Sequence, residues 1–184
     1  MDAVAAFRRS TEGFVERARR ISDDQWSAPT PCTEWDVRAL VNHVAGEYVW
    51  VPEMLAGKTL AEVGDRFDGD ILGDDPLGRL AEARDAAITA LEVPGACERT
   101  VHLSFGDLAA VEYVTQMAVD STIHSWDLAR ATGGDEYLDP ALVELSYAEL
   151  QRSAEDWRSA GLFAAQSEAA DGSAQARLLA ITGR

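Results

Sequence analysis

At 184 residues and 19.9 kDa the chain has the length of one domain, enough to bury roughly two-thirds of its unfolded surface without a disulfide or metal staple. With 47% hydrophobic and 26% charged residues, its composition excludes intrinsic disorder, a collagen-like chain and a membrane channel. Acids outnumber bases 32 to 16, and a formal charge of −16 repels phosphate backbones, so nucleic acid is not an expected partner.

Val4, Phe7, Thr11, Phe14, Ala18 and Ile21 recur at spacings of three and four, which predicts an amphipathic helix over residues 2–21. The densest basic stretch, Arg8, Arg9, Arg17, Arg19 and Arg20, lies on this helix and is diluted by Glu12 and Glu16. Ser22 with Gln25 forms a capping-box pattern that starts a short turn carrying Trp26. Pro29 and Pro31 then hold an extended connection. Thr33 as N-cap, with Asp36 in the first turn, opens a second helix of about residues 34–56. Val37, Leu40, Val41, Val44 and Tyr48 give its buried side, and Pro52 is expected to kink it or end it early.

Residues 57–75 carry four glycines and six acids and read as a long surface connection. Pro76 opens a third helix to about residue 92, with Leu77, Leu80, Ala87, Ile88 and Leu91 inward. Residues 99–105 alternate enough for one short extended segment. A fourth helix spans about 108–131, with Val114, Met117, Ser121, His124, Leu128 and Ala131 on one face and Gly133 and Gly134 as its stop. A fifth helix covers about 140–159, and SAQARLLAITG closes the chain with a short one. The expected fold class is therefore all-α, an up-and-down four-helix bundle with short additional helices, residues 1–184 forming a single domain.

No apolar run approaches the ~20 residues needed to cross a bilayer, and MDAVAAFRRST lacks the pattern of a secretory signal. Cys32 and Cys97 form neither a metal-type pair nor a disulfide framework. A cytoplasmic protein with reduced thiols and no membrane partner is expected.

Chemistry-bearing residues are few. Each of the three histidines has an acid four residues away: Glu47 for His43, Glu98 for His102 and Asp120 for His124. Spacing alone does not choose among them. His124 differs because it sits on the apolar stripe of its helix, where an unpaired carboxylate at Asp120 would be costly. Asp120 and His124 lie one turn apart on one face and could grip a divalent ion, although an arginine would satisfy the carboxylate equally well. Asp127 is either a residue that orients an imidazole or a plain surface acid. Trp35, Trp50 and Trp126 could wall a pocket, with core packing as the alternative. Cys32 reads as a small buried hydrophobe, with no histidine near it in sequence.

TPCTEWDVRALVNHVAGE, VHLSFGDLAAVEYV, DSTIHSWDLARATG and the terminal ARLLAITGR together resemble the metal-binding domain of the mycothiol-dependent maleylpyruvate isomerase family, within the DinB-like helical bundles. The resemblance implies a mononuclear site made of a histidine on the second helix and an acid and a histidine four apart on a later one. These match His43, Asp120 and His124. It further implies zinc, with nickel or iron as alternatives, an open position for water or a thiol, mycothiol as a cosubstrate, and pairing into a homodimer. Three departures bear on function. The isomerase carries a further C-terminal domain; Asp120 stands where it has the longer glutamate; and Glu47 could act as a fourth ligand. His102 falls in a matching segment without a ligand role, so a structural or pocket-lining place is expected. Arg38 and Arg130, near two of the motifs, are the candidates for holding an anionic substrate. The functional expectation is a thiol-dependent transferase or isomerase that activates a thiol at the metal. The alternative is a non-catalytic metal-binding bundle with a stability or ligand-sensing role.

Overall fold

Three long helices begin where an aspartate accepts a hydrogen bond from an otherwise free amide of the first turn. In the computed structural model, which describes residues 1–159, 161 and 164–184, Asp2 caps α1 (Ala3–Ala18) through the Ala5 amide at 2.8 Å. Asp36 caps α2 (Val37–Leu55) through Ala39. After a one-turn α3 (Leu60–Val63), Asp75 caps α4 (Pro76–Leu91) through Gly78. A hairpin of β1 (Thr100–Leu103) and β2 (Gly106–Ala109) leads directly into α5 (Ala110–Thr132), which Gly133 terminates at φ 67°, a left-handed conformation open to glycine. α6 (Pro140–Ser159) and α7 (Ala174–Ile181) follow.

α1 packs on α5 and α4, and α2 packs on α4 and α5, so these four helices close a ring with α1 and α2 at opposite corners. Phe7, Phe14, Leu40, Tyr48, Leu80 and Leu128 lie in its buried core. A second apolar cluster, including Val119, Ile123, Val143, Leu150 and Leu178, forms where α6 and α7 cover the other side of α5. α5 is therefore buried on two sides, and polar groups along it have little access to water.

The all-α bundle expected from periodicity is the observed architecture. Its element edges differ for local reasons. α1 stops at Ala18 instead of running to 21, with Ile21 still buried at the end of tighter turns. The cap of α2 is Asp36 instead of Thr33, so residues 34–36 precede the helix and Trp35 lies outside it. Pro52 does not end α2, because burial of Val51, Met54 and Leu55 carries it three residues further. The 57–75 connection is more than surface: it contains α3, and Val63 and Leu72 are buried. The 99–105 segment has a partner strand, since Val101 pairs with Leu108; this delays α5 from 108 to Ala110. Among the described residues no helix is long and apolar enough to cross a membrane.

The core yields a direct test. Phe7 is fully buried and meets the Tyr48 ring edge-on, centroids 5.9 Å apart. Phe7→Ala should lower the unfolding free energy by about 3–5 kcal/mol in urea titrations with little change in slope.

Candidate metal centre

On α5, Asp120, His124 and Asp127 follow one another at spacings of four and three, which places all three on one side of a helix buried on two sides. His124 stands between the carboxylates. Its Nε2 is 3.3 Å from Asp120 Oδ1, and its Nδ1 is 2.9 Å from Asp127 Oδ2. From α2, His43 Nε2 approaches the other oxygen of Asp120, Oδ2, at 3.5 Å. Ligand atoms of His43, Asp120 and His124 all lie within 4.8 Å of one another, and the two imidazole centroids are 5.0 Å apart. Trp35 covers this edge, 4.6 Å from the His43 ring and 5.9 Å from that of His124.

Asp120 Oδ2 is buried and has no hydrogen-bond partner. A carboxylate oxygen in that condition is costly unless a positive charge sits close by. Burial would raise the Asp120 carboxyl, but His124 and His43 outweigh it and hold the group well below the usual carboxylate range. Burial alone would lower the His124 imidazole, yet Asp120, with further help from Asp127 and Cys32, raises it well above its ordinary value. Two imidazoles and one carboxylate oxygen are a donor set that suits zinc and its neighbours among the divalent metals. The residues present fit such an ion.

A second layer backs His124. Asp127 is fully buried and accepts the Nδ1 hydrogen bond, so the α5 acid is not on the surface. The Arg184 guanidinium grips Asp127 in a fork, Nε at 2.9 Å from Oδ1 and Nη2 at 2.7 Å from Oδ2. Cys32 joins them. Its thiol donates to Asp127 Oδ2 at 3.4 Å, and its sulfur accepts from Arg184 Nη2 at 3.5 Å and lies 4.0 Å from His124 Nδ1. Cys32 is thus no inert hydrophobe, contrary to its surroundings in sequence. The fold explains its arrival. Because α1 and α2 stand at opposite corners, the chain between them has to cross one end of the bundle. Gln25 ties that crossing to the Thr132 carbonyl at the end of α5, and a Pro29–Asp36 bridge folds Cys32 and Trp35 into one loop.

Other candidates fall elsewhere. Glu47 is not in the converging donor set; burial, and then Asp120, push its carboxyl up to about 7. His102 pairs across the hairpin with Asp107 at 2.7 Å. Arg38 is bound to Asp70, and Arg130 to Glu136, so neither anion-binding candidate points its charge at the donors. Trp50 packs on Phe67, and Trp126 lies under Arg130. Arg184 had no signal of its own in the sequence; a buried Asp127 needing a cation was the available clue.

The family model of the mycothiol maleylpyruvate isomerase N-terminal domain matches residues 7–129. The chain belongs to this family. The matched segment includes Cys32, His43, Asp120, His124 and Asp127 and ends before Arg184. Two uncharacterized proteins, from two strains of Mycobacterium tuberculosis, are each 31% identical over 143 residues, covering 78% of this chain and 74% of theirs. The crystal structure of a single-site mutant of the mycothiol-dependent maleylpyruvate isomerase superposes with a TM-score of 0.66 over 89% of this chain and 73% of that one. At 13% identity this likeness shows the fold.

The buried fork also sets a stability that depends on pH. Burial would raise Asp127, but the hydrogen bonds from His124 and Arg184 hold its carboxyl below the ordinary value. Its contribution is therefore complete above roughly pH 4 and is lost as pH falls through the lower folded-state value. Asp127→Asn should cost about 3–5 kcal/mol at neutral pH, because the buried ion pair with Arg184 is broken. In urea unfolding at successively lower pH, the gap between variant and parent should close below about pH 4.

Proposed function

We propose that His43, Asp120 and His124 hold one divalent ion and that this site serves thiol-dependent chemistry, a transfer or isomerisation with mycothiol or a related small thiol as cosubstrate. The observation that carries the reading is Asp120 Oδ2, buried and without a hydrogen bond, beside imidazoles from two different helices. The family supports a thiol as partner. Zinc suits two imidazoles and a carboxylate, and nickel and iron are the alternatives. When bound, such an ion would lower the pKa of a thiol and so make thiolate available at neutral pH.

The chain's own residues have distinct parts in this reading. His43 and His124 would each supply one ring nitrogen, from α2 and α5, and Asp120 the negative charge between them. Asp127 fixes the imidazole of His124 by accepting a hydrogen bond from Nδ1–H, which leaves Nε2 facing Asp120. Trp35 walls the His43 side. Glu47 lies near the donors, and burial and then Asp120 push its carboxyl up; an ion held by Asp120 would act in the opposite direction.

Elemental analysis of protein purified without chelator should find close to one divalent ion per chain, and little in His43→Ala or His124→Ala. Unchanged metal in either variant overturns the ligand assignment. Adding mycothiol to the cobalt-loaded protein should produce a thiolate-to-metal band in the ultraviolet, and should do so equally in Cys32→Ser. A fully loaded protein that shows no change with any of several thiols would replace the thiol chemistry with a stability or ligand-sensing role.

A further inference from the structure

His124 belongs to two donor sets, one on each side of its ring. Besides His43, Asp120 and His124, the ligand atoms of Cys32, His124 and Asp127 also lie within 4.8 Å of one another. Sulfur, nitrogen and carboxylate oxygen make a set at least as attractive to zinc as the first, because thiolate is a strong ligand for that ion. Left to itself, the second set would compete for the same metal and draw on the same histidine.

A cation is already there. We infer that Arg184 is a positioning residue, a built-in cation for Cys32, Asp127 and the Nδ1 side of His124, which confines an external divalent ion to the His43 and Asp120 side. The inference rests on the metal reading above. Its basis is geometric: the guanidinium reaches both Asp127 oxygens at 2.9 and 2.7 Å and the Cys32 sulfur at 3.5 Å. Asp127 is fully enclosed and the Arg184 side chain is only 11% exposed, so the pair meets across little water. Guanidinium does not lose its proton in proteins, and the charge is therefore permanent. A divalent ion among these donors would have to displace it or sit against it.

The arginine is also held in place through its backbone. Beyond α7, the Arg184 amide donates to the Leu179 carbonyl at 2.9 Å, and Ser167 Oγ donates to the Arg184 carbonyl at 2.9 Å. Its Nη1 donates to the Thr182 carbonyl at 3.2 Å. α7 thus delivers a positive charge to the back of His124. The result is an imidazole with Nδ1–H committed to Asp127 and Nε2 left for the other side.

Cobalt(II) titration of the whole chain tests this through its spectrum. The unmodified protein and Arg184→Lys should show no cysteine-thiolate-to-cobalt band. Arg184→Gln should gain that band together with additional bound cobalt, and Arg184→Gln combined with Cys32→Ser should lose the band again. A band in the unmodified protein, or a folded Arg184→Gln without one, overturns the inference, as does Arg184→Lys behaving like Arg184→Gln. Should Arg184→Gln fail to fold, Cys32→Ser alone decides: unchanged cobalt affinity supports the inference, and a tenfold or larger loss refutes it. The two readings fail separately. No cobalt in the unmodified protein but a band in Arg184→Gln would end the His43, Asp120 and His124 assignment and leave only the exclusion of metal from Cys32 and Asp127 by Arg184. Cobalt in the unmodified protein with no band in Arg184→Gln would end only the role of Arg184.

Discussion

Asp120, His124 and Asp127 lie within two turns of a helix covered by α1 and α2 on one side and by α6 on the other, and charges in that position must be neutralised locally. The surroundings of α5 follow from this need. Asp120 is met by His124 from its own helix and by His43 from α2. Asp127 is met by His124 and by Arg184 from beyond α7. His124 is the shared member, so its two ring nitrogens divide the cluster into a front and a back. The back is closed by hydrogen bonds of 2.7 to 2.9 Å, whereas the front leaves one oxygen, Asp120 Oδ2, without a hydrogen bond. The proposal of an ion at the front rests on this asymmetry between a satisfied back and an unsatisfied front.

Apolar periodicity made the bundle legible because burial of a stripe is what builds a helix into a core. It located α1, α2, α4, α5 and α6 within a few residues. Their edges were less legible, since they depend on single contacts. Asp36 outcompeted Thr33 as a cap, and pairing of Val101 with Leu108 took two residues from the start of α5. The same division applies to the site. Asp120 and His124 could be paired from sequence because helical geometry joins residues four apart. Attaching His43 to them took a resemblance to known proteins, because nothing local links α2 to α5. Cys32 and Arg184 were out of reach altogether: they are 92 and 60 positions from His124, and only the crossing of the α1–α2 connection and the return of the chain after α7 bring them in.

The position of α5 in the ring also explains why a thiol and a guanidinium can share a carboxylate without opening the core. The crossing loop and the segment after α7 both meet α5 near its C-terminal end, where Gln25 holds the Thr132 carbonyl and Arg184 enters. The apolar interior around Leu40, Tyr48 and Leu128 is left intact. The polar cluster runs from Asp120, midway along α5, toward the C-terminal end of that helix. Segments with no helical duty of their own supply the extra groups, while the helices supply the groups that must be held most rigidly.

Net charge constrains what such a site can receive. A formal charge of −16 draws cations toward the protein and repels anions at long range. Arg38 and Arg130, the two arginines near the sequence motifs, are committed to Asp70 and Glu136 and do little to offset this. Arg184 is inside the site, but its charge is spent on Asp127. On the thiol reading, the order of events then follows from electrostatics. A neutral thiol is not opposed by the negative field, whereas a thiolate is repelled at long range. On that reading the demand for acidity falls on the local charges at the front of His124. The acidic surface and the buried donor set therefore favour the same sequence: entry as the neutral species, and ionisation only within reach of His43, Asp120 and His124.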